Sequence, residues 1–139
     1  KMKASVGKFG ASNNRRFGIH LFGTGDVLKE GIAAMVIGNN DAGTREVLLR
    51  KGLNGDDLAS IPLAKGGFTV GDEYDFTLTG EYTGGTVLKL KLTISHGLAI
   101  QSVTSTVNYT EYTGTLLGVS ARLRNNWAID VHSFEATGS

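Results

Sequence analysis

Arginine placement is the first feature of this chain that suggests chemistry. Arg122 and Arg124 are two positions apart in Leu116–Arg124, and Arg50 follows Glu46 by four in Arg45–Lys51. Arg15 and Arg16 lead into the run Arg16–Gly23, which carries His20. A guanidinium is a planar fork of N–H donors that takes a carboxylate or sulfate bidentately, which an ammonium does less well. In extended chain, successive side chains alternate between two faces. Val119, Ala121 and Leu123 then share one face and Ser120, Arg122 and Arg124 the other. Phe17, Ile19 and Leu21 likewise oppose His20 and Phe22, while Glu46, Leu48 and Arg50 oppose Val47 and Leu49. Such a face suits an anionic ligand. The same residues also read as scattered surface charge paired with Asp and Glu.

Aromatic side chains give sugars a stacking surface. Tyr109 and Tyr112 lie in the loop Asn108–Gly114, where loop position favours exposure. Trp127 follows Asn125-Asn126 at a rim, but its parity with Ile129 and Val131 points inward. A core role therefore competes with a ligand-binding one.

Other chemistries are poorly supplied. There is no Cys, which excludes a disulfide framework and any thiolate metal site. His20, His96 and His132 have no spacing that brings two of them together. His96 precedes Gly97 and reads as a solvated turn residue. Glu46 is the only carboxylate within the basic strands, and one carboxylate does not run a two-carboxylate hydrolysis. The net charge is +1, from 14 basic and 13 acidic residues, with no interleaving of basic and aromatic residues. Nucleic acid is therefore not an expected partner. No apolar run reaches the roughly 18 residues of a membrane helix, so membrane insertion is not expected. The chain opens Lys1-Met2-Lys3 without an apolar signal segment and reads as a mature or excised piece of something longer.

The elements that must position these groups are strands. Leu88-Lys89-Leu90-Lys91-Leu92-Thr93-Ile94 alternates without a slip, as only a strand buried on one face requires. Further strands are expected at Ala4–Phe9, Arg16–Gly23, Gly31–Gly38, Arg45–Lys51, Glu73–Tyr82, Leu98–Val107, Leu116–Arg124 and Trp127–Thr137. Gly, Asn and Asp turn residues separate them. Gly31–Gly38 is apolar on both faces and is expected to be a central strand covered on both sides. In the last strand, Phe134 falls out of phase with Ile129 and Val131, so a bulge is expected at His132-Ser133. Asp56–Ile61 starts with a capping-type Asp and stops at Pro62, which predicts a single turn of helix. With no repeat or linker, residues 1–139 read as one domain, an all-β, two-sheet antiparallel sandwich.

The second half resembles the concanavalin A-like (laminin-G-like) jelly roll of bacterial carbohydrate-binding modules and related enzymes. The resembling run begins at Asp72-Glu73-Tyr74-Asp75-Phe76-Thr77-Leu78 and continues through Val87–Ile94. It then takes in Gly114-Thr115-Leu116-Leu117-Gly118-Val119-Ser120-Ala121-Arg122 and Ala128–Ala136. The Trp usual before Tyr74 is missing. The resemblance implies a convex outer sheet of the first strand, three consecutive strands and the last strand. It implies a concave inner sheet of Arg16–Gly23, Gly31–Gly38, Arg45–Lys51 and Leu116–Arg124, with glycans on the concave face or its rim. A structural Ca²⁺ is common in such jelly rolls, and the resemblance implies that Asp130 lies where the family's last-strand Asp often sits, although Asp130 reads equally as a surface strand residue. The family's hydrolases carry Glu-x-Asp-x-x-Glu, which is absent here, and the lyases' Gln and Tyr motifs are absent too.

The expected function is thus a non-catalytic carbohydrate-binding module with no required cofactor. It would be extracellular or on the cell surface, and part of a larger polysaccharide-degrading protein. It would recognise a polysaccharide, with acidic polymers (sulfated or uronic) the class its arginines suit. The residues expected to hold it are His20, Glu46, Arg50, Arg15, Arg122, Arg124, Tyr109, Tyr112 and Trp127. A structural or adhesion domain that binds protein partners, and a lyase-like enzyme, are the alternatives.

Overall fold

The computed structural model describes residues 1–8, 15–38, 46–63, 71–123 and 128–138. Its strands are β1 (Met2–Lys8), β2 (Arg15–Gly23), β3 (Ile32–Gly38), β4 (Glu46–Lys51), β5 (Asp57–Pro62), β6 (Glu73–Gly84), β7 (Val87–His96), β8 (Ala99–Asn108), β9 (Leu116–Arg122) and β10 (Ala128–Phe134). A short 3-10 turn, Tyr109–Glu111, follows β8. Two antiparallel sheets pack face to face. Sheet I has the order β10-β1-β6-β7-β8 and sheet II the order β5-β4-β3-β2-β9. No helix among the described residues is long and apolar enough to cross a membrane.

Alternation explains sheet I. On β7, Leu88, Leu90, Leu92 and Ile94 are buried while Lys89 and Lys91 face water. Lys89 lies opposite Glu81, and Lys91 lies between Thr79 and Thr104. In the core between the sheets, Phe17 meets Tyr74 and Phe76 edge-on, at ring-centroid distances of 5.8 and 5.7 Å. That T-shaped geometry suits the ring quadrupoles and adds to the burial of three large side chains. The bulge expected in the last strand is present. Lys3 pairs with Ser133 and Ala4 with Val131, leaving His132 as the extra residue, and its Nε2 lies 2.7 Å from Ser5 Oγ.

Sheet II is buried on both faces at its centre. Every residue of β3 is buried. Ile32, Ala34 and Val36 join the core between the sheets, whereas Ala33, Met35 and Ile37 form a second cluster with Leu48 and Leu53. Leu53 comes from the turn after β4, which folds back over the sheet. The amides of Gly52, Leu53 and Asn54 donate to the carbonyls of Gly31, Val27 and Leu28, each at 2.9 Å. These bonds join segments 24–31 and 52–56 into a cover over the outer face of sheet II. Gly52 and Gly31 both have positive φ, and a Cβ on Gly52 would lie 2.5 Å from the Leu28 carbonyl oxygen. Only glycine fits that backbone-to-backbone approach.

Three expectations need correction. Asp56–Ile61 is no helical turn: β5 pairs along β4, with Val47 opposite Ile61 and Leu49 opposite Ala59. Leu58, Ala59 and Ile61 pack against the main core, and Pro62 is tolerated because β5 is an edge strand ending there. His96 is not a solvated turn residue. Its ring lies 4.6 Å from that of Tyr74, and its Nε2 is 3.4 Å from Asp72 Oδ1. Phe22 does not share the His20 face. The β2–β9 pairing slips between His20 and Gly23, and Phe22 takes φ 56°, which turns its ring onto Tyr112 beside the main core. A bulge re-aims a side chain in this way at a backbone cost of about 1–2 kcal/mol.

One side of the sandwich is open. The main cross-sheet contacts join β2 to β6, β4 to β7 and β8, and β5 to β8. Edge strands β9 and β10 lie beyond that overlap. Val119 has the inward parity expected of it yet is 43% exposed, and Leu117 and Val131 are each 46% exposed.

Candidate functional site

The outer face of sheet II can be laid out from its register. One cross-strand row reads Arg122, Arg16, Ile37, Glu46, Pro62. The next reads Ser120, Gly18, Met35, Leu48, Ser60, and the third Gly118, His20, Ala33, Arg50, Asp57. The middle of this face is apolar, and Leu53 seals it. Polar groups therefore collect at the two ends of the strands, and the cover decides which of them meet water.

Asn54 is the junction. Its Oδ1 accepts from Arg122 Nη1 at 2.8 Å and from Arg16 Nη2. Arg16 is buried and holds further contacts of its own, so it is the fixed member of the pair. Arg122 is half-exposed on edge strand β9, and its side chain is held by this neutral amide oxygen. On the other side of Asn54, the cover carries an open surface pocket of about 300 Å³ lined by Leu28, Lys29, Lys51, Asn54, Gly55 and Asp56. Leu28 is 39% exposed and supplies an apolar patch between charged side chains. Asp26 shapes this rim, its Oδ1 accepting from the amides of Leu28 at 3.2 Å and Lys29 at 3.3 Å. Such side-chain capping of a turn fixes the loop without regular pairing.

The other expected site residues are placed differently. His20 is buried. Its Nε2 lies 2.8 Å from the Glu30 carbonyl oxygen and its Nδ1 3.3 Å from Ser120 Oγ. A carbonyl only accepts, so Nε2 is the donor to Glu30. The expectation that His20 faces a ligand fails because segment 24–31 covers it, with Gly31 packed against its Nε2. His20→Ala should therefore cost about 1–3 kcal/mol in urea denaturation, by orphaning the buried Ser120 hydroxyl and releasing the Glu30 carbonyl of the cover.

Arg15 is the first residue of β2, not a loop residue, and is buried. Arg50 Nε donates to Asp57 Oδ1 at 2.6 Å and Nη1 to the Leu53 carbonyl at 3.4 Å, so it ties the cover to β5. Glu46 stands half-buried in the Arg122 row, between Ile37 and Pro62. Tyr109 and Tyr112 are half-buried rather than freely exposed. Tyr109 meets Tyr82 edge-on at 5.5 Å, and Tyr112 stacks on Phe22 at 5.4 Å. Burial, with the charge of Glu111, raises the Tyr112 phenol above its usual 10.0. Asp130 is exposed on β10 opposite Ser5, its carboxylate lying over Gly7. Among the described residues, no three His, Cys, Asp or Glu side chains cluster closely enough to hold a metal ion. Arg124 and Trp127 lie outside the described residues.

The structure thus brings Arg122 together with Arg16 and adds Asn54, Lys29 and Lys51, which residue type and spacing did not single out. Gly52-x-Asn54-Gly55 signals a turn, but nothing in it says which face the turn covers. The chain matches no protein-family model, no curated protein and no solved structure.

Proposed function

We propose that this chain is a non-catalytic carbohydrate-binding module that takes a polysaccharide along the cover of sheet II, beside Asn54. The observation that carries this reading is the meeting of Arg122, Arg16 and Asn54 at the edge of an open pocket with an apolar patch. Planar guanidinium and amide groups match the in-plane hydroxyl and carboxylate groups of a sugar, and Leu28 suits its C–H face. The jelly-roll resemblance supports the same reading, and it implies an exported or cell-surface protein whose other parts act on the polysaccharide. The carboxylates here favour binding over hydrolysis: Asp57 is held by Arg50, Asp56 lines the pocket without a second carboxylate among the described lining residues, and Glu46 stands two strands from Arg16 in its row. Affinity gel electrophoresis against neutral, uronic and sulfated polysaccharides is the test. Retardation by at least one class is expected, and migration unaffected by every class would refute the proposal.

The open edge favours a second reading, a structural or adhesion domain that binds a protein partner along β9 and β10. Leu116 is 60% exposed there, next to Leu117 and Val119. Val119→Lys should leave glycan binding intact under the first reading and remove the function under the second.

A further inference from the structure

We infer that the polysaccharide is acidic, with its carboxylate or sulfate held by Arg122 on one side of Asn54 and the adjoining sugar against Lys29 and Lys51 on the other. This rests on the glycan reading above and specifies its substrate class.

Local charge is the decisive feature. The chain neutralises some of its cations, though not Lys89 or Lys91 on sheet I. Lys3 lies 3.7 Å from both Glu73 and Asp75, and Arg50 is 2.6 Å from Asp57. Around Asn54 it does not. Among the described residues, no carboxylate pairs with Arg122, Lys29 or Lys51. Lys29 and Lys51 line the pocket and Arg122 meets Asn54 at its edge, so three such cations stand around one amide, with Asp56 beside them. Arg122 is also directly opposite Arg16, and like charges across a strand pair work against the sheet. The Asn54 oxygen that Arg122 meets is neutral. An incoming oxyanion gives shorter, charge-assisted and bidentate bonds to the same donors.

Asn54 joins the two halves, because its side chain holds Arg122 while the residue also lines the pocket. Among the described residues, Asp56 is the pocket's single carboxylate. It suits a sugar hydroxyl, which donates to it, and opposes a dense polyanion. The site thus favours spaced acidic groups on a hydroxyl-rich chain over the continuous phosphates of a nucleic acid.

The test uses the whole chain in affinity gels and calorimetric titrations. The probes are polygalacturonate, the same polymer with its carboxyls reduced to alcohols, dextran sulfate, unmodified dextran and duplex DNA. Binding to polygalacturonate or dextran sulfate is expected, and which of them binds identifies carboxylate or sulfate. Carboxyl reduction should weaken polygalacturonate binding at least about tenfold, and added salt should weaken it progressively. Arg122→Gln should cost about tenfold in affinity at unchanged melting temperature, and Lys51→Gln a smaller factor. Neutral polymers bound as tightly as acidic ones would overturn the inference and leave the glycan reading standing. Binding to none of the glycans would overturn both. DNA bound as tightly as the acidic glycans, or full affinity in Arg122→Gln, would also overturn the inference.

Discussion

Leu53→Ala should lower stability by about 2–5 kcal/mol and weaken glycan binding together, although Leu53 touches no ligand in this account. Its side chain is fully buried on Ala33, Met35, Ile37 and Leu48. Truncation removes apolar burial and leaves a cavity between the sheet and a cover that cannot simply collapse. Three backbone bonds hold segment 52–56 to segment 24–31, not to the sheet below. The side chain of Leu53 is therefore the chief apolar anchor of the cover. Asn54 is the next residue, so a loosened cover also loosens the group that organises Arg122, and binding then bears the entropy of ordering it. Leu53→Met, which roughly conserves volume, should cost less than about 1.5 kcal/mol and retain binding. Urea midpoints at constant m value, measured beside calorimetric affinities, check both effects. Unchanged affinity in a destabilised Leu53→Ala would separate the cover from the site.

Gly18→Ala should be the most damaging single-methyl change, at more than about 4 kcal/mol or with loss of soluble protein. Gly18 lies on β2 opposite Met35 of β3 and Ser120 of β9, on the covered face. A Cβ there would meet the Ala34 carbonyl oxygen at 2.0 Å and Met35 Cα at 2.6 Å. Both are backbone atoms of the central strand, so no rotamer change relieves the overlap. The β2–β3 ladder must part instead, and both cores flank that ladder. Gly118 is the control, since it lies on the same face of β9 and a methyl group added there would have nothing within 4 Å. Gly118→Ala should be neutral or stabilising by a few tenths of a kcal/mol, as expected where added bulk meets only solvent. Equal tolerance of both substitutions in thermal melts would contradict the packing described for β2 and β3.

The strand framework was legible because burial on one face writes itself as alternation. Leu88–Ile94 shows this, and Gly31–Gly38, apolar at both parities, announced a strand covered twice. Even the bulge at His132 was readable, because Phe134 breaks phase with Val131. What covers β3 was not readable, since Leu53 is a lone apolar residue in a turn and carries no periodicity. That gap explains the errors at the site. Parity correctly set His20 on the face opposite Phe17 and Ile19, yet parity reports a direction, and the cover placed backbone where solvent was expected. Phe22 escaped because a left-handed residue interrupts the alternation. β5 was misread because a capping Asp and a closing Pro fit an edge strand as well as a helical turn. Of the basic residues, Arg122 could be placed by parity, but its junction with Asn54 depends on the way two separate turns zip together.

The most direct test of the account is a nuclear magnetic resonance titration of the whole chain with a short acidic oligosaccharide that it binds, following backbone, asparagine amide and arginine side-chain signals. The largest shifts are expected on the Asn54 side-chain amide, the Arg122 guanidinium and the backbone of Lys51 and Gly55, with sheet I silent. Shifts confined to Leu117, Val119 and Val131 on the open edge, or to the Lys89 and Lys91 face of sheet I, would contradict it.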